Sequence, residues 1–158
     1  MQALTSHLSL AGAAGGGLAR WRGAIARGNQ AFEQADYQQA LALYRTALAQ
    51  AEQLLGACDD IDGALAALVV AHHNLADTWL RLGRDEERGA HLAAAHEILH
   101  RVMADNTMPS AWRQGALRHG SVSYAELTRF LATCPGHARA RSAHGLNTVA
   151  ALADQAPH

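Results

Sequence analysis

Gly28-Asn29-Gln30-Ala31-Phe32-Glu33-Gln34-Ala35-Asp36-Tyr37-Gln38-Gln39-Ala40-Leu41 and Asn74-Leu75-Ala76-Asp77-Thr78-Trp79-Leu80-Arg81-Leu82-Gly83-Arg84-Asp85-Glu86-Glu87 carry one pattern written twice. In each stretch a helix-compatible run stops at a short turn and a second run starts at once, which is how a helix-turn-helix unit reads in sequence. Small residues (Gly28, Ala40) stand where two helices must approach closely. Large ones (Phe32, Tyr37, Tyr44) stand where the space around them must be filled.

Working outward, Leu18 to about Ala35 is compatible with one helix. Tyr37, Ala40, Leu41, Tyr44, Ala47, Leu48, Ala51 and Leu55 then recur every three or four residues, the apolar face of a second, with Gly56 as its stop. Asp59, Asp60 and Asp62 supply carboxylates at a third helix N-terminus. Leu65, Leu68, Val69, His72, Leu75, Ala76, Trp79 and Leu82 form its stripe, and Gly83 ends it. Asp85-Glu86-Glu87 opens a fourth helix, striped by Leu92, Ala95, His96, Leu99 and Met103, and Pro109 marks the next break.

Beyond it the pattern predicts three shorter helices: Ser110 to His119, a break at Gly120, Tyr124 to Thr133 capped by Ser123 with Glu126 at capping-box distance, and His137 to Leu152. The expectation is an all-α chain of about seven helices, antiparallel because the loops are short. It divides into pair one (18–56), pair two (62–104) and C-terminal helices (109–153) within a single domain, 18–158. Residues 1–17, broken by Gly12, Gly15, Gly16 and Gly17, read as a flexible arm and not as a signal peptide.

Composition narrows the class. Apolar residues make up 49% of the 158 but aromatics only 5%, so the core must be built from alanine and leucine, which favours close-packed helices over a β-sandwich. The 13 basic residues are all arginine and the 14 acids leave a formal charge of -1, unlike a nucleic-acid polycation. No uninterrupted apolar run approaches the ~20 residues of a membrane span. Cys58 and Cys134 lack metal-type spacing and read as free thiols, consistent with a reducing cytoplasm. Charge is uneven, however. Residues 51–105 hold ten acids and four arginines, residues 106–158 two acids and five arginines, so an acidic middle precedes a basic C-terminal third.

With these residues in place, the chain resembles the tetratricopeptide repeat family. Gly28, Phe32 (one place late), Ala40, Tyr44 and Ala47 match one copy of its template, and Leu75, Ala76 (for glycine), Trp79, Gly83, Leu92 and Ala95 match a second. The resemblance covers about residues 20–104 and implies a right-handed stack of antiparallel helix pairs, an α-solenoid. Residues 109–134 would then be a degenerate third pair and 137–152 a cap. Corresponding positions Gly28 and Ala76 lie 48 residues apart, against a family period of ~34. Each pair is therefore over-long, Arg88 replaces the template alanine, and no proline closes either unit. A looser likeness links the segment His73 to Trp79 to short bacterial proteins built from two such long-helix units.

The resemblance also directs attention to a groove lined by the first helix of each pair. Asn29, Glu33, Asn74, Asp77 and Arg81 share helices with the packed stripes yet lie off them, and are the expected partner contacts. Asn29 and Asn74 fall on asparagine positions that carboxylate-binding members use, although both also occur as scaffold residues. Ile25 stands where those members carry lysine, so Arg22, Arg113 or Arg118 would have to complete a carboxylate clamp.

A second candidate is chemical. His72 and His96 are nearly equidistant from the Gly83 turn, and His100 is one turn beyond His96, so three imidazoles could converge on zinc or copper; alternatively, they are hydrogen-bonded core residues. Nothing else suggests an enzyme or a cofactor. Gly15-Gly16-Gly17 follows no strand, Asp59, Asp60 and Asp62 lack the spacing of a calcium loop, and the cysteines have no placeable base. The expected function is a non-catalytic, cytoplasmic interaction module that takes a peptide or protein segment and neither nucleic acid nor membrane. The alternative is a homo-oligomer joining acidic middles to basic C-terminal thirds.

Overall fold

The turn that closes the first repeated stretch fixes how its two helices meet. In a computed structural model, which describes the backbone of residues 3–154 and the side chains of residues 16–146, α1 (Ala3–Glu33) ends with Ala35 at φ 59. Asp36 N–H returns to Ala31 C=O at 2.9 Å and Ala35 N–H to Phe32 C=O at 3.0 Å, the paired bonds of a Schellman turn. Asp36 then caps α2 (Tyr37–Leu54), its carboxylate accepting from Gln39 N–H at 3.1 Å. The second stretch repeats this device. After α3 (Ile61–Arg81), Gly83 takes φ 69, Arg84 N–H reaches Trp79 C=O at 2.9 Å, and α4 (Asp85–Ala104) begins with three acids in its first turn. Ala35 and Gly83 are themselves 48 residues apart, so the repeat seen in sequence has a backbone counterpart.

Two more helices follow, α5 (Ser110–Thr133) and α6 (Ala138–Asp154), making six among the described residues and no strand. The expected count of about seven is corrected by Gly120. It lies inside α5 and does not break it, because flanking residues anchor the helix: Ser123, expected as a cap, is fully buried, donates to Gly120 C=O at 3.0 Å and meets His96 Nδ1 at 2.7 Å. Such anchoring overrides the ~1 kcal/mol that a mid-helix glycine costs. Residues 3–17, most of the expected arm, are helical and run on into the rest of α1; residues 1–2 and 155–158 lie outside the described residues.

Successive helices pack on one another, and α1 also meets α3, α3 meets α5, and α6 meets both α4 and α5. α1 and α2 run antiparallel, as Gly28 faces Tyr44 and Gly17 faces Leu54. A β-carbon on Gly28 would fall 2.5 Å from the Tyr44 ring, so glycine is what lets these helices close. Three apolar clusters fill the interior. One joins α2 to α5 around Leu65, Leu68, Leu99 and Trp112; one sits under α6 around Leu127 and Phe130; the third, Ala40, Leu41, Tyr44 and Leu75 with Phe32 and Trp79 against it, underlies the ends of α1 and α3.

Alanine at φ 59 suffers a left-handed backbone that glycine does not. Ala35→Gly is therefore expected to stabilise the fold by about 0.5–1 kcal/mol, raising Tm by about 1–4 °C in a chain of this size. Gly83→Ala is expected to do the reverse. Thermal melts of both variants check this, and a lower Tm for Ala35→Gly contradicts it.

Candidate functional site

Above the third cluster, the C-terminal parts of α1 and α3 leave a cleft of about 330 Å³ lined by Asn29, Phe32, Glu33, Tyr44, Asn74 and Asp77. Four of the five expected groove residues thus share one concavity. The fifth, Arg81, is not among the lining residues; its guanidinium stands 5.7 Å over the Phe32 ring.

Tyr44 organises the floor. It is 2% exposed, and its hydroxyl donates to Asn29 Oδ1 at 2.7 Å, satisfying a phenol that α2 carries into the interior. Asn74 Nδ2 approaches the same oxygen at 3.5 Å, a long contact that joins α3 to the pair. Burial pushes the Tyr44 hydroxyl up to about 12, with the carboxylates of Asp77 and Glu33 adding to the shift. Asp77 is itself raised, first by partial loss of water in the cleft and further by Glu126, while His73, Arg88 and Arg81 oppose this. The cleft thus carries two carboxylates, the charge of Asp77 being partly offset by His73, Arg88 and Arg81.

No arginine lines it. Arg113 Nε donates to Met103 C=O at 3.0 Å, Arg118 pairs with Asp62 at 3.0 Å, and Arg22 is exposed on α1 outside the lining, so the expected carboxylate clamp is not assembled there. Phe32 and Tyr44 belong to the cleft although the sequence offered them only as packing residues. A signal for Tyr44 was present, because a tyrosine on a buried stripe must find a partner for its hydroxyl.

The three candidate metal ligands separate. His72, 4% exposed, places Nδ1 3.2 Å from Nδ1 of His91, which follows the Gly83 turn by eight residues; the hairpin register is tighter than the His72–His96 pairing expected. His96 instead bonds Ser123 on α5, and His100 has its ring 6.3 Å from that of His96. No group of three histidine, cysteine or carboxylate donors able to hold a metal occurs among the described residues. His96 and Ser123 are 1% and 0% exposed, so their contact is sealed from any substrate.

The charge asymmetry is also met in part inside one chain. Arg118 of α5 pairs with Asp62 at the start of α3, and Arg139 of α6 forms a two-pronged pair with Glu97 of α4 at 2.8 and 3.1 Å.

These features define the protein as an all-α chain with a polar cleft between the ends of two helical hairpins, and no described helix is long and apolar enough to cross a membrane. The chain belongs to the family described as "Protein of unknown function (DUF2753)", whose family model matches residues 19–156. Comparison with curated proteins gives no match, and comparison with solved structures gives none.

Two outcomes follow from this geometry. Asn29→Ala removes the partner of a buried phenol and is expected to cost about 1–3 kcal/mol, whereas adding Tyr44→Phe removes the stranded hydroxyl and restores part of that loss. Strictly additive losses in a double-mutant cycle of urea melts would show that the bond carries no energy. Separately, burial, helped by His91, His73 and Arg139, lowers His72 from 6.5 to about 3. Its neutral form is thus the one the fold accepts: the stabilisation is complete above pH 6.5 and is lost as pH falls from there toward 3. His72→Leu is expected to flatten the decline of Tm over that range, and an unchanged slope would assign it to other groups.

Proposed function

We propose that this chain is a non-catalytic interaction module that holds a peptide or protein segment in the cleft between α1 and α3. The observation that carries the reading is the convergence of Asn29, Glu33, Asn74 and Asp77, from two helices 45 residues apart in sequence at the Asn29–Asn74 contact, on one concavity. A polar, open-sided cleft on rigid helices suits an extended segment.

The architecture we infer for it is two over-long tetratricopeptide-like pairs, α1–α2 and α3–α4, stacked in a right-handed sense and extended by α5 and α6. Three observations support this: the twin Schellman turns, the close approach at Gly28, and the additional contacts of α1 with α3 and of α3 with α5. In such a stack the first helices of successive pairs line one face, which is where the cleft lies. Homo-oligomerisation is less favoured, because two of the arginines that motivated it are already paired within the chain.

Asn74→Ala and Asp77→Ala test the site better than Asn29→Ala, since Asn29 also supports Tyr44. In affinity capture from native lysate with the full chain as bait, the double variant is expected to lose the partner held by the wild type while its Tm falls by no more than about 4 °C, since Asp77 is exposed and Asn74 is half-buried with one long contact. Undiminished capture would place binding elsewhere.

A further inference from the structure

The donors and acceptors of the cleft discriminate between kinds of ligand. Its hydroxyl is already spent, because Tyr44 donates to Asn29 Oδ1, and the Asn74 amide leans on the same atom. What remains at the lining is dominated by two carboxylates, Glu33 and Asp77. Among the described residues both lack an ion-pair partner, whereas Asp62, Glu86, Glu87, Glu97 and Glu126 each pair with an arginine or histidine. The cations whose charges act on Asp77 (His73, Arg88 and Arg81) make no ion pair with it; Arg88 is stacked over Phe130 and Arg81 over Phe32 at the margin.

The field of these two carboxylates is felt within the site, where both contribute to the upward shift of Tyr44. Held in a concavity on low-dielectric helix, like charges focus potential toward the opening and raise the local concentration of a cation. A carboxylate ligand would meet the opposite: repulsion from both acids and no arginine to grip it.

We propose that the cleft receives a cationic side chain, the guanidinium of arginine or the ammonium of lysine, from the bound segment. This rests on the assignment of the cleft as the binding groove. Glu33 from α1 and Asp77 from α3 flank the cation, the Asn29 and Asn74 amides bound the floor, and Phe32 contributes apolar lining. A cavity of about 330 Å³ admits one such side chain and its flanking backbone, not a folded domain.

The test uses the full chain, isotopically labelled, and three blocked pentapeptides identical except for a central arginine, glutamine or glutamate. At physiological salt the arginine peptide is expected to shift the side-chain amide signals of Asn29 and Asn74 saturably, with the other two at least about tenfold weaker, a difference of about 1.4 kcal/mol. Glu33→Gln combined with Asp77→Asn is expected to erase that preference at unchanged Tm, and a fourth peptide with lysine at the central position is expected to bind the wild type as the arginine peptide does. Preference for the glutamate peptide, or equal response to all three, overturns the cation assignment while leaving the groove in place. Absence of any shift at Asn29 and Asn74 also overturns it, and the lysate capture with Asn74→Ala and Asp77→Ala decides the groove independently.

Discussion

One side chain ties the first three helices together. Tyr44 leaves α2, takes up the space that Gly28 vacates on α1, and sends its hydroxyl to Asn29, which in turn leans on Asn74 of α3. Each part requires the others. With any side chain at position 28 the ring has no room; without Asn29 the phenol is buried and unsatisfied; without the ring the α1–α2 crossing has a void. The cleft exists because this constraint holds the ends of α1 and α3 close while leaving the turn-proximal carboxylates off the packed face.

A different logic governs the other half. α4 is held to its neighbours by histidines: His91 meets His72 of α3, His96 meets Ser123 of α5, and Glu86 C=O accepts from His137 beside α6 at 3.0 Å. The imidazole Nε2 atoms of His72, His73 and His96 are buried without a protein partner and burial lowers all three, so these seams are built for neutral rings. Arg139 adds a positive charge near His72 and His91, while its own guanidinium is anchored on Glu97. The density of histidine in this chain is thus used to join helices, and a cation arriving at the His72–His91 pair would face both Arg139 and Arg45.

Those histidines also mark where sequence reading stops. Apolar periodicity and the Gly83 and Pro109 breaks are local signals, and α2, α3 and α4 follow them closely. The pairing of His72 depends on hairpin register, which shifts with the length of a turn and is not written in either helix. Gly120 misleads for a related reason. As a local signal it breaks a helix, but Ser123 binds its carbonyl from one turn on and His96 holds Ser123, a contact 27 residues away in sequence. That Asn29, Glu33, Asn74 and Asp77 share one concavity was legible because they sit off the stripe on helices whose stripes are regular, although Arg81, expected with them, is not in its lining. Their charge partners were not, since whether an arginine reaches an acid depends on the packing of α5 and α6, whose apolar periodicity is weaker than that of α2 and α3.

The two asparagines show how that last difference changes a chemical conclusion. By residue type and position alone, Asn29 and Asn74 suggest a clamp for a carboxylate, a reading that needs a cation beside them. The packing sends Arg113 to a backbone carbonyl of α4 and Arg118 to Asp62, and it leaves Glu33 and Asp77 at the cleft instead. An amide is indifferent to the sign of its ligand, because it offers both a donor and an acceptor. The sign is set by the formal charges around it, and here the charged residues in the lining are the two acids. The repeated stretches therefore specify the shape of the cleft, while the fate of arginines far along the chain decides which formal charges stand beside it.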